Sequence, residues 1–185
     1  MKTCIKNANV VLENKILNNA NVLVENGVIK SITTDEVFAD NVIDATGLYL
    51  LPGFIDLHCH GGDGYDFMDA SSEEMLKLAS FHLNRGTTTL YATTLTDTYA
   101  SIEASLETYK KLYDSDNLLT LEGVHLEGPW LSKAQCGAQE PDRICDIDLD
   151  KFDELVKKYP FIKGFQLHQN LIMLKNFAYR QKKRA

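Results

Sequence analysis

Apolar residues in the first 50 positions come in short blocks with no helical period. Val22-Leu23-Val24 and Val28-Ile29 flank Asn26-Gly27, the dipeptide that best accepts the positive φ angles of a tight hairpin turn. Val10-Val11-Leu12, Val42-Ile43 and Leu48-Tyr49-Leu50-Leu51 predict further short strands. Residues 1–51 therefore read as a small β unit.

From Gly53 the pattern changes to strand, loop and helix in repetition. Phe54 to His60 is a predicted strand, and a helix follows from Ser72 to Asn84. Ser71 and Glu74 have capping-box spacing, and Met75, Leu78, Ala79, His82 and Leu83 share one face. Thr87 to Thr94 is β-branched and aromatic, which favours a strand. Ile102, Leu106, Tyr109 and Leu112 mark a second helix. Leu118 to Glu127 is a third strand, Leu149 to Tyr159 a third helix stopped by Pro160, and Ile162 to Leu167 a candidate fourth strand. Strand starts recur at roughly thirty residues, the size of a βα unit, so an α/β fold with a parallel sheet or barrel is expected. A complete (β/α)8 barrel needs about 250 residues, against about 130 that follow the β unit. The expected fold is a partial barrel after a β domain.

The chain has 185 residues, 44% of them hydrophobic, and a net charge of −7. That balance argues against nucleic acid as a partner. No apolar run reaches the ~18 residues of a membrane span, and the first residues lack the apolar core of a signal peptide. Cys4, Cys59, Cys136 and Cys145 form no CxxC pair, so a reducing, cytoplasmic location is expected. The charge is uneven. Residues 1–154 hold 11 basic and all 26 acidic side chains, whereas residues 155–185 hold 8 basic and no acidic ones.

Two segments carry candidate chemistry. In Phe54-Ile55-Asp56-Leu57-His58-Cys59-His60-Gly61-Gly62, strand alternation sends His58 and His60 to one face and Cys59 to the other. Two imidazoles so placed can grip a divalent metal at a strand end, or can be ordinary polar residues there. In Gly123-Val124-His125-Leu126-Glu127-Gly128-Pro129, His125 and Glu127 also share a face. Glu127 can ligate a metal beside the histidines or simply cap the next loop. Trp130 suits either core packing or contact with a sugar. Cys136 and Cys145 are taken as free thiols, and Asp63 and Asp66 as turn caps.

PGFIDLHCHG, RGTTTLYATTLT, GVHLEGPWLS and the later Gly137-Ala138-Gln139 together resemble the amidohydrolase superfamily. Within it the match is to the N-acetylglucosamine-6-phosphate deacetylases, over about residues 5 to 163. The resemblance implies a small β-sandwich portion (1–51), the first βα units of a metal-dependent hydrolase barrel (52–163) and a remainder, 164–185, that matches no family pattern. It implies removal of acetate from N-acetylglucosamine 6-phosphate to give glucosamine 6-phosphate. Glu127 matches the family's metal-ligating glutamate, and His58 and His60 match a His-x-His that supports a second metal in some members. Ala138 and Gln139 match a sugar-contacting loop, and His125 is expected to orient ligands from outside the coordination shell. One or two divalent ions (zinc, iron or similar), an amino-sugar phosphate substrate and a homodimer follow from the same resemblance. Another amidohydrolase activity, or a non-catalytic fragment that self-associates or pairs with an intact homologue, is the alternative.

The family's catalytic aspartate and two further metal-binding histidines have no counterpart in the sequence, and His168 matches no family ligand. The basic tail, 164–185, has the composition of an end read out of frame. A truncated chain of this kind is expected to be poorly soluble and inactive alone.

Overall fold

The computed structural model describes residues 1–167. Expectations for His168 and the tail beyond it lie outside the described residues. The chain forms two units, Met1–Pro52 and the part from Gly53 onward.

The first unit contains β1 (Lys2–Val11), β2 (Ile16–Glu25), β3 (Val28–Thr33), β4 (Asn41–Asp44) and β5 (Tyr49–Leu50). They form one sheet in the order β3-β2-β1-β4, with β5 also paired to β1. Strands β1 to β3 are antiparallel neighbours, whereas β4 and β5 run parallel to β1. Asn26 and Gly27 turn the β2–β3 hairpin at φ 51° and 76°, as the dipeptide predicts. Strand β1 is much longer than the expected Val10–Leu12. Register shifts on both sides of Ala8 and the left-handed Asn7, φ 59°, break its alternation and hide it from a period-2 pattern. Its core is small, made of Ala8, Val10, Ala20, Val22 and Ala45. Among the described residues this unit is one five-stranded sheet.

The second unit contains β6 (Phe54–Cys59), β7 (Gly61–Gly62), β8 (Tyr65–Asp66), α1 (Ser72–Leu83), β9 (Thr87–Thr93), α2 (Tyr99–Asp114), β10 (Leu121–Glu127), α3 (Leu149–Lys158) and β11 (Ile162–Gln166). Strands β6, β9, β10 and β11 are parallel neighbours in sequence order, and a helix links each to the next. This is the α/β arrangement with a parallel sheet that the thirty-residue repeat predicts. Strands β7 and β8 make a small hairpin directly after β6.

The helices share one apolar core with the sheet. Met75, Leu78 and Ala79 of α1, Ile102, Leu106, Tyr109 and Leu112 of α2, and Phe152 and Leu155 of α3 are buried in a single cluster with Leu90, Ala92, Val124 and Leu126. Burying a side chain of this size stabilises by roughly 1.5–3 kcal/mol. Leu83, expected on the buried face of α1, is 38% exposed because it is the last helical residue and leaves the sheet with the chain. The capping box is formed: Glu74 N–H donates to Ser71 Oγ, and Ser71 N–H to Glu74 Oε2 at 2.8 Å. Trp130 belongs to the core. It packs edge-on against Phe152, and its indole N–H donates to Tyr99 Oη at 2.9 Å. No helix among the described residues is long and apolar enough to cross a membrane.

Candidate metal centre

Strand β6 ends at Cys59, and its tip is held to β9 by a side chain. The ladder between the two strands slips between Asp56 and Cys59. Cys59 N–H donates instead to Oγ1 of the fully buried Thr93 at 2.9 Å. Behind it, His58 N–H donates to Asp56 Oδ1 at 3.1 Å. The backbone that carries His58 and His60 is therefore held at His58 and at Cys59, between the pair. Glu127 is the last residue of β10, on the face opposite the buried Val124 and Leu126.

Here the three side chains meet. Glu127 Oε2 stands 2.8 Å from His58 Nε2 and 2.8 Å from His60 Nε2, and the two nitrogens are 3.3 Å apart. These atoms can hold a metal ion. The centre of their triangle lies ~1.7 Å from each atom, a spacing that would suit the ~2.0–2.2 Å usual for imidazole and carboxylate on zinc. Two imidazole nitrogens and one carboxylate also suit a borderline divalent cation chemically.

His125 lies beside this group. Its ring centroid is 4.9 Å from that of His58, and its Nε2 is buried without a hydrogen-bond partner. Burial pushes its pKa below the ordinary imidazole range, with the neighbouring His58 adding to the effect. Gly164 of β11 leaves room for the ring, since a Cβ there would lie 2.6 Å from His125 Nδ1. His60 Nδ1 is likewise buried and unpartnered.

The group opens on a cleft of about 810 Å3, walled by Leu131, Ser132, Gln135–Gln139 and, from the far side, Gln166 and Leu167. Ala138 and Gln139 thus share one cavity with His58, His60 and Glu127. Gln139 Oε1 accepts the Thr96 N–H at 2.8 Å, which pins the loop to the end of β9 and leaves the amide NH2 as the group free to donate. Gly128 turns the chain into this loop at φ +85°, and a Cβ there would meet Thr96 Oγ1 at 2.0 Å.

Two residues of consequence were hidden in the sequence. The Thr87–Thr94 run signals strand propensity, but only register shows that Thr93 supports Cys59. His82 looks like one member of an apolar helix face, yet its Nε2 lies 3.4 Å from Cys59 Sγ. Burial raises the Cys59 thiol above its ordinary pKa. Cys136 and Cys145 are free, as expected. Asp66 Oδ1 caps a turn by accepting the Met68 N–H, and Asp63 sits at a left-handed turn position.

Comparison with known proteins identifies relatives of the chain. The chain is 35% identical over 155 residues to N-acetylglucosamine-6-phosphate deacetylase of Bacillus subtilis, covering 80% of the chain and 39% of that protein. It is 34% identical over 128 residues to the enzyme of the same name from Lysinibacillus sphaericus, covering 69% of the chain and 32% of that protein. The crystal structure of N-acetylglucosamine-6-phosphate deacetylase from Pasteurella multocida shares the fold, with a TM-score of 0.81 at 24% identity, over 90% of this chain and 45% of that one. The chain therefore spans less than half the length of these relatives. Residues 49–165, which include the whole His58–His60–Glu127 group, match the amidohydrolase family, and the chain belongs to that family.

Proposed function

We propose that this chain carries the metal-binding part of an N-acetylglucosamine-6-phosphate deacetylase, which removes acetate from N-acetylglucosamine 6-phosphate. One observation carries the reading: His58, His60 and Glu127 converge from two strand ends at the floor of the cleft that contains Ala138 and Gln139. The two named Bacillus and Lysinibacillus relatives support the substrate class. In this reading the second unit is the opening portion of a (β/α)8 barrel, whose active site lies at the C-terminal strand ends. The protein acts in the cytoplasm, as a homodimer.

His58, His60 and Glu127 would hold the divalent metal, zinc or iron and one or two ions in number. What it supplies when bound is activation of water at neutral pH and polarisation of an amide carbonyl. The chain's own residues do the rest. Glu127 places one negative charge between two imidazoles and so neutralises part of the cation. His125, whose burial disfavours its charged form, packs beside the His58 ring and supports it. Gln139 presents its amide N–H groups to the cleft, where they can donate to a sugar hydroxyl, and Ala138 leaves the space beside it open.

The test is acetate release from N-acetylglucosamine 6-phosphate by the gene product that carries this chain. Release should require a divalent metal, and E127Q should lower it by on the order of 100-fold or more. Release indifferent to both chelator and E127Q would sink the proposal.

A further inference from the structure

Behind the His58–His60 pair, on the opposite face of β6, three donor atoms form a second triangle that the deacetylase reading does not use. Cys59 Sγ is 3.2 Å from Gly61 O and 3.4 Å from His82 Nε2. His82 Nε2 is 3.1 Å from the same Gly61 O. All three residues are half-buried, so the triangle is shielded but reachable. It joins three elements: the tip of β6, the β7–β8 hairpin and the last turn of α1. The first two are locked together by Phe67 N–H donating to His60 O at 2.8 Å.

We propose that Cys59 Sγ, His82 Nε2 and the Gly61 carbonyl oxygen form a second metal site, for a thiophilic divalent cation such as Zn2+ or Cd2+. The centre of the triangle is ~1.9 Å from each atom, so a small displacement from its plane reaches the ~2.0–2.3 Å of zinc–nitrogen and zinc–sulfur bonds. A thiolate beside an imidazole selects soft and borderline ions over Mg2+ or Ca2+. The hairpin is shaped around the histidine as well: a Cβ on Gly62 would lie 2.9 Å from His82 Nε2. Binding forms one metal–sulfur bond and releases the Cys59 thiol proton to solvent, so one proton leaves per ion bound. Water completes the coordination. Without an ion, the same atoms hold one another through hydrogen bonds to Gly61 O.

Cd2+ titration of the 185-residue chain, followed by thiolate-to-metal charge-transfer absorption and by proton release, tests this. The band should appear with one proton released per equivalent, persist in C136S and in E127Q, vanish in C59S, and shift to at least 10-fold higher Cd2+ in H82Q. Persistence in E127Q separates this site from the His58–His60–Glu127 group, so either can fail alone. Absence of the band in the native chain, or its loss in C136S with retention in C59S, would overturn the proposal without recourse to any variant at His82.

Discussion

Glu127 and His58 are 69 residues apart in the chain, yet Glu127 Oε2 lies 2.8 Å from His58 Nε2. The two strands that carry them are not direct neighbours, because β9 runs between β6 and β10. The side chains reach across the end of β9, where the register of the β6–β9 ladder shifts and the Thr93 hydroxyl accepts the Cys59 N–H.

Removing the carboxylate should therefore cost most of the affinity for metal. In a C59S background, which limits Zn2+ to the first site, E127Q should weaken binding by on the order of 100-fold or more. Loss of an outer-shell partner alone commonly costs 10–100-fold, and in the proposed site Glu127 is a direct donor. Isothermal titration of the metal-free chain measures it; an unchanged Kd would contradict the assignment.

Thr93 is the support on which the histidine pair rests. T93V keeps the shape but leaves the Cys59 N–H without an acceptor, at a cost of about 1–3 kcal/mol. T93S should restore most of that stability. Urea unfolding of the three proteins separates the hydroxyl from the methyl, and Zn2+ affinity should follow the hydroxyl.

The α1 capping box gives a pH dependence with a definite sign. Hydrogen bonds from the Ser71 backbone N–H and hydroxyl hold the Glu74 carboxyl below its ordinary value of 4.5. The contribution is thus complete above 4.5 and is lost as the pH falls through the depressed folded value. S71A should destabilise by about 1 kcal/mol at neutral pH. E74Q should flatten the acid side of the stability profile, as read by urea midpoints from pH 7 down to pH 3.

Gly128 and Gly137 bound the cleft loop and make a controlled pair. Both have positive φ, +85° and +61°, but a Cβ at 128 strikes Thr96 while one at 137 meets nothing within 4 Å. G137A should cost only the left-handed backbone strain, about 1–2 kcal/mol. G128A adds overpacking of about 1–3 kcal/mol. Thermal melts that rank G137A as the more damaging change would refute this account of the loop.

Much of the second unit was legible because its signals are local. Ser71 and Glu74 cap α1 at the predicted place. Ile102, Leu106, Tyr109 and Leu112 are all buried, as their spacing predicts. Such features depend on residues within one or two turns of each other. Strand β1 was largely illegible, since its bulges at Asn7 and Ala8 shift the side-chain parity and only pairing with β2, β4 and β5 defines its extent.

The sequence by itself determined the alternation of strand and helix, the Asn26-Gly27 hairpin and the placement of His58, His60 and Glu127 at strand ends, because backbone periodicity and turn chemistry are properties of neighbouring residues. Only the tertiary structure decided that Glu127 reaches across β9 to both histidines, that Thr93 braces them, and that His82 faces Cys59. Those relations depend on strand register and on how a helix face meets the sheet. Both are set by burial summed over the whole core, and no short stretch of chain contains that information.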